Sequence, residues 1–167
     1  VDQCIALLAY EGHAALAIRR LKYANHRDAL GPFARALADL VVDATAGAEA
    51  FQRVTWVPAA RGHRRQRGYD QGALLGGAVA RRLGLRCERL LVRRDGRSQT
   101  GSPLARRLDG PSLAATAGAR LAGPVLVVDD VRTSGASLAA AAFALRAVGA
   151  SHVVAATLAA TPDRSAT

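Results

Sequence analysis

Apolar residues along this chain recur with two different periods, and the periods divide it into helices and strands. From His13 to Tyr23 the apolar positions Ala14, Ala17, Ile18 and Leu21 fall three or four apart, which predicts a helix with one buried face. A second helix is predicted from Pro32 to Val42, with Pro32 in the first turn, where its missing N–H is no loss. Val54 to Val57 predicts a short strand ending at Pro58. From Gln71 to Leu83 the residues Leu75, Val79 and Leu83 recur every fourth position, predicting a third helix capped by Gly84. Leu90 to Val92 predicts another strand, followed by a polar, Gly-containing loop from Arg93 to Gly101. Val125 to Val128, after Pro124, is a short apolar run rich in β-branched side chains, which suits a strand buried on both faces. An alanine-rich helix from Ala139 to Val148 and a last strand from Val153 to Leu158 complete the pattern, with a loose polar tail from Thr161.

Strands alternating with helices predict right-handed crossovers and a mainly parallel sheet. The expected fold class is therefore α/β, a three-layer, Rossmann-like arrangement with an N-terminal helical portion at about residues 8–46 and a core at about 52–160, all within one domain spanning 1–167. Ligands of such sheets bind beyond the carboxyl ends of the strands. The loop after Val57, the segment after Val92 and the turn after Val128 are expected to share that rim.

The stretch VLVVDDVRTSGAS, Val125 to Ser137, carries the chemistry. Asp129 and Asp130 stand where the strand is expected to end, and Thr133, Ser134, Gly135, Ala136 and Ser137 supply small residues and hydroxyls before a helix. Unpaired N–H groups and the positive end of the helix dipole make such a turn an anion site, and a phosphate is the expected ligand. Carboxylates would repel a phosphate, so they are expected to face hydroxyls or a divalent metal. A sugar phosphate satisfies both halves. An apolar strand followed by acids and a glycine turn also occurs as ordinary α/β punctuation, so the ligand is an expectation. A Walker-type nucleotide site is excluded because the only lysine, Lys22, is not in a Gly-rich loop.

Composition narrows the setting. The chain has 167 residues, 50% of them hydrophobic, which is enough for a core without staples. It contains no apolar run of membrane-spanning length and no legible signal peptide, so a cytoplasmic location is expected. Its two cysteines, Cys4 and Cys87, are far apart and form no zinc or disulfide pattern. A formal net charge of +10 suits phosphates or nucleic acid, although a bias toward arginine gives the same excess. His63, Arg64, Arg65 and Arg67 lie between Gly62 and Gly68 in the loop after the first predicted strand. Guanidinium forks there could bind pyrophosphate oxygens, and a solvated basic loop or a contact to a nucleic-acid backbone remains open.

Asp-Asp after an apolar strand, then a Thr/Ser-Gly turn, resembles the 5-phosphoribosyl-1-pyrophosphate (PRPP) motif of type I phosphoribosyltransferases. That resemblance implies that Asp129 and Asp130 meet the ribose hydroxyls as the catalytic pair, and that Thr133, Ser134, Gly135, Ala136 and Ser137 hold the 5-phosphate. Together with LAYEG at Leu8 to Gly12, LKY at Leu21 to Tyr23, the Arg-Gly-Tyr-Asp-Gln run ending at Gln71, and RSQTG at Arg97 to Gly101, the chain resembles the ComF family from about Leu8 to Leu158. That family of phosphoribosyltransferase-like proteins is linked to bacterial competence and DNA uptake. Asp70 stands where relatives commonly have Asn; Gln99 and Arg107 fit their pattern, and Asp109 or Gly110 occupies a further Asn position. Many relatives also carry an upstream zinc-binding segment, whereas this chain has only Cys4 there, so no cysteine-bound metal is expected.

The resemblance implies transfer of a phosphoribosyl group with release of pyrophosphate. Arg64, Arg65 and Arg67 would bind pyrophosphate, Mg²⁺ would be held mainly through substrate oxygens with no protein ligand directly assigned, and the flexible segment with Arg97 and Gln99 would close over the site. PRPP and an acceptor that the sequence does not identify are the expected substrates. Single-stranded DNA or a DNA-uptake helicase is a further expected partner. A non-catalytic module binding DNA or an uptake partner, and a nucleotide-sensing regulator, are the alternatives on the same fold.

Overall fold

The computed structural model describes residues 1–23, 30–60, 69–94 and 112–162. Strand β1 (Gln3–Ala9) is followed by helices α1 (Gly12–Tyr23) and α2 (Leu30–Ala44), strand β2 (Arg53–Trp56) and helix α3 (Gln71–Leu83). Then come the short strands β3 (Leu91–Arg93) and β4 (Leu113–Ala115), strand β5 (Val125–Arg132), helix α4 (Ala136–Arg146) and strand β6 (Val153–Ala160). Four strands form a wholly parallel sheet in the order β1-β6-β5-β2, and β3 pairs with β4 in a separate antiparallel ladder. The class is α/β, as the alternating pattern predicts.

The two interior strands explain the apolar runs. Val125 to Val128 and every residue of β6 are buried, because a central parallel strand is covered on both faces. Leu126, Val128, Val154 and Ala156 pack against Leu37 and Val41 of α2 and Leu75 and Val79 of α3. On the other face Val125, Val127, Val153 and Ala155 pack against Leu138, Ala141 and Leu145 of α4. Each fully buried Val or Leu contributes roughly 1.5–3 kcal/mol, so these two interfaces fix the strand order. Among the described residues no helix is long and apolar enough to cross a membrane.

The structure corrects the expected N-terminus and rim. The chain opens with a strand, β1, ahead of the expected helices, and β6 lies between β1 and β5 instead of closing an edge. Ala6, Leu7 and Leu8 have no strand preference of their own, and pairing with β6, far along the chain, makes them extended. The strand expected at Leu90 to Val92 is β3, outside the parallel sheet, and its partner β4 was not foreseen. The segment after Val92 therefore does not leave the end of a parallel strand. Instead the Arg93 guanidinium Nη1 donates to the Pro58 carbonyl at 3.1 Å, tying the β3–β4 ladder to the chain just beyond β2.

Two contacts seat β6. Gly149 turns the chain from α4 into β6 with φ of +102°, and a Cβ there would lie 2.2 Å from the Leu121 carbonyl oxygen. Gly149→Ala should lower the unfolding free energy by about 3 kcal/mol or more, measured by urea denaturation. At the start of β1 the Asp2 carboxylate accepts from the Val153 N–H at 2.7 Å, is bonded to the Arg146 guanidinium, and has His152 Nδ1 at 3.5 Å. The Val153 N–H most of all, then Arg146 and His152, hold its pKa below the ordinary carboxylate value against an opposing effect of burial. Such a group stabilises the fold above the unfolded pKa, and the gain disappears as pH falls through the folded one. Asp2→Asn should therefore be less stable than the parent at pH 7 and approach it at about pH 2, read from denaturation at both pH values.

Candidate functional site

Strand β5 does not stop with its apolar run. Its ladder with β6 continues through Asp129 opposite Thr157 to Arg132 opposite Ala160, and the Thr161 N–H donates to the Arg132 carbonyl at 2.8 Å. Asp129 and Asp130 are thus inside the strand, half-buried, and as successive residues they leave opposite faces of the sheet. The Asp129 carboxylate Oδ1 accepts from the Asp130 N–H at 2.8 Å, which limits its rotation. Thr133 and Ser134 follow, both exposed, and Gly135 takes the left-handed conformation, φ 77° and ψ −2°, to open α4. The Ser134 hydroxyl accepts from the Ala136 N–H at 3.4 Å, whereas Gly135, at the capping position, offers no side chain. N–H groups of the first turn of α4 are left to be met from outside the helix.

These residues form a small concavity, open to solvent and lined by Asp129 and the unbroken stretch Val131 to Leu138. It brings Asp129 together with Thr133, Ser134, Gly135, Ala136 and Ser137, and adds Arg132. Asp130 is not among its walls. A carboxylate at one side, a guanidinium-bearing residue and a helix N-terminus at the other suit a molecule with hydroxyls at one end and an anion at the other. Arg64, Arg65 and Arg67 of the expected pyrophosphate loop, and Arg97 and Gln99 of the expected closing segment, lie outside the described residues. The described chain on either side of them is at the same rim. Val57 donates its N–H to the Val128 carbonyl at 3.1 Å, and the Arg94 N–H donates to the Ser112 carbonyl at 2.9 Å where the β3–β4 ladder ends.

Residues 70–166, from the cap of α3 to beyond β6, match the model of the phosphoribosyl transferase domain. The chain belongs to that family. No curated protein matches this phosphoribosyl transferase domain. Among solved structures it is similar to the allosteric regulatory enzyme of purine biosynthesis, at 19% identity and a TM-score of 0.57 over 84% of this chain and 30% of that one. It is also similar to glutamine PRPP amidotransferase from B. subtilis, at 20% identity and a TM-score of 0.56 over 83% of this chain and 30% of that one. The domain spans less than a third of the length of either chain. At these identities the likeness is one of fold.

The domain uses two residues at the rim in ways the periodicity does not reveal. Asp70 is the N-cap of α3, accepting from the Ala73 N–H at 3.4 Å, and its second oxygen accepts from the Trp56 indole N–H at 3.4 Å. An Asp directly before a helix is itself a capping signal, so this role was readable. Trp56 is half-buried and braces the end of β2 against α3. Arg132 lay in the motif and was passed over, since a lone arginine between acids and hydroxyls has no periodic signature. Asp70→Ala removes both the cap and the indole partner; it should cost about 1–2 kcal/mol of stability in urea denaturation. The same variant should shift the fluorescence of Trp56, the only tryptophan.

Proposed function

We propose that this phosphoribosyl transferase domain binds PRPP with Mg²⁺ and transfers the phosphoribosyl group to an acceptor with release of pyrophosphate. The observation that carries the reading is the single cavity joining Asp129 to the hydroxyl-bearing turn and open N-terminus of α4, in a chain of this family. A glutamine PRPP amidotransferase among the structures of similar fold supports it further. The turn from Thr133 to Ser137 would take the 5-phosphate through backbone N–H groups and hydroxyls, whose charge-assisted bonds also set the orientation of the sugar. Asp129 would face the ribose hydroxyls from the wall of the cavity, and Asp130, outside that wall, would reach them from the neighbouring position on β5. As the bond to pyrophosphate breaks, positive charge grows on the ring, and two fixed carboxylates favour that charge without moving. Arg64, Arg65 and Arg67 are the proposed partners of the leaving group.

Mg²⁺ fits this donor set. Among the described residues no group of three His, Cys, Asp or Glu side chains could hold a metal alone, while the neighbouring Asp129 and Asp130 would supply hard oxygen atoms beside an ion held largely by phosphate oxygens and water. When bound, it would offset negative charge developing on pyrophosphate. Resemblance to ComF proteins supports a competence or DNA-uptake setting. The formal charge of +10 favours a second reading, a non-catalytic module that contacts DNA, whose affinity would fall steeply with salt. Calorimetric titration with PRPP and Mg²⁺ separates the two. Saturable binding that depends on Mg²⁺ and is reduced at least tenfold in Asp129→Asn/Asp130→Asn is expected for the first; a folded protein that binds DNA and not PRPP would replace it with the second.

A further inference from the structure

Two buried polar side chains near the acidic pair have no hydrogen-bond partner among the described residues. Gln71, 3% exposed, leaves both Nε2 and Oε1 of its carboxamide unmatched, and Thr157, fully buried, leaves its Oγ1 unmatched. An unmet buried donor or acceptor is unfavourable, so each position would be more stable with an apolar residue of the same shape. Their placement supplies the reason for keeping them.

Thr157 is the direct ladder partner of Asp129. Paired residues of a parallel ladder present their side chains to the same face, here the face of Val127 and Ala155 that α4 covers. Asp130 is on the other face, in the row Leu126, Val128, Asp130, and Leu75 and Val79 of α3 pack into the same core as Leu126 and Val128. The helix runs against the strands: a Cβ on Gly72 would meet the Val57 carbonyl at 3.0 Å, whereas one on Gly76, a turn later, would lie 3.9 Å from the Thr55 carbonyl, nearer the start of β2. Gln71, Leu75 and Val79 form one stripe with a step of about 6 Å, and alternate residues of a strand advance by roughly the same distance. The stripe and the row therefore stay in step, and Gln71 falls at the Asp130 end of β5.

We propose that Gln71 and Thr157 are positioning residues for the acidic pair, Thr157 for Asp129 and Gln71 for Asp130, each donating to its carboxylate when a ribose phosphate fills the site. This rests on the sugar-phosphate reading of the site. A bound sugar displaces water from around the half-buried carboxylates, and neutral donors from the protein would then add to the ribose hydroxyls in orienting them. Hydroxyl and carboxamide donors are neutral, so they orient the carboxylates without cancelling the negative charge that the ribose ring needs opposite it. A lysine or arginine in either place would cancel it.

The test titrates ribose 5-phosphate calorimetrically into the parent protein and into Gln71→Leu, Thr157→Val and Thr157→Ser, each confirmed folded by circular dichroism, and records thermal unfolding without ligand. The parent should bind saturably. Gln71→Leu and Thr157→Val should bind about tenfold more weakly while their unfolding midpoints hold or rise, because an unmet polar group has been replaced by an apolar one. Thr157→Ser, which keeps the hydroxyl, should bind like the parent. Affinities of Gln71→Leu and Thr157→Val within about twofold of the parent would overturn the proposal and leave both residues as core fillers. Failure of the folded parent to bind ribose 5-phosphate would instead overturn the sugar-phosphate reading itself.

Discussion

The structure depends on one strand held from both sides. β5 pairs with β2 along Val125 to Val128 and with β6 from Val125 to Arg132, so the ladder on the β6 side outlasts the one on the β2 side. The apolar half of β5 is locked into two hydrophobic interfaces, and the polar half continues the ladder with β6. Asp129 and Asp130 are therefore on fixed backbone although their side chains reach the rim. A pair of carboxylates on a loop would need to be ordered at each binding event; on this strand the ordering is already supplied by folding.

Opposite signs of charge are kept apart by the same geometry. The strand ends in acids, and within a few residues the chain turns through Gly135 and presents the N-terminus of α4, whose partial positive charge is fixed by backbone dipoles. A left-handed glycine at that point makes the reversal short, so the carboxylate of Asp129 and the first-turn N–H groups line one small cavity. The helix itself is held by Leu138, Ala141 and Leu145 against Val125, Val127 and Val153. Packing of α4 on the face of the sheet that carries Asp129 thus sets the position of the anion-binding end.

The remaining rim is assembled by contacts that cross the parallel sheet's boundary. Near the start of β2, away from the rim, Arg86 and Glu88 bond to Val54 and cover its outer edge; at the other end Asp70 ties the Trp56 indole to the start of α3. Arg93 then joins the β3–β4 ladder to Pro58. Cys87, between Arg86 and Glu88, has its thiol pKa pushed up by burial and, to a smaller extent, by Glu88, so it is held in the thiol form as part of this edge. The Asp70 and Arg93 bonds join residues distant in sequence at the carboxyl end of β2.

Residues whose surroundings are local were legible from the sequence. The stripe Leu75, Val79 and Leu83, the Gly84 cap, Pro32 in the first turn of α2, and the run Val125 to Val128 all carry their period or their backbone preference in their own neighbourhood, and they fix the α/β class and the motif at the end of β5. Ala6, Leu7 and Leu8 became a strand only because β6 pairs with them, and Leu113 to Ala115 became β4 only by meeting β3, pairings that nothing in either segment announces. The site divides in the same way. Asp129, Asp130 and the turn from Thr133 to Ser137 are contiguous, so chain order alone proposed them. Thr157 reaches Asp129 through ladder register, and Gln71 reaches the Asp130 end through the match of helix and strand steps. Contiguity is written in the sequence; register and packing between distant segments exist only once the chain has folded.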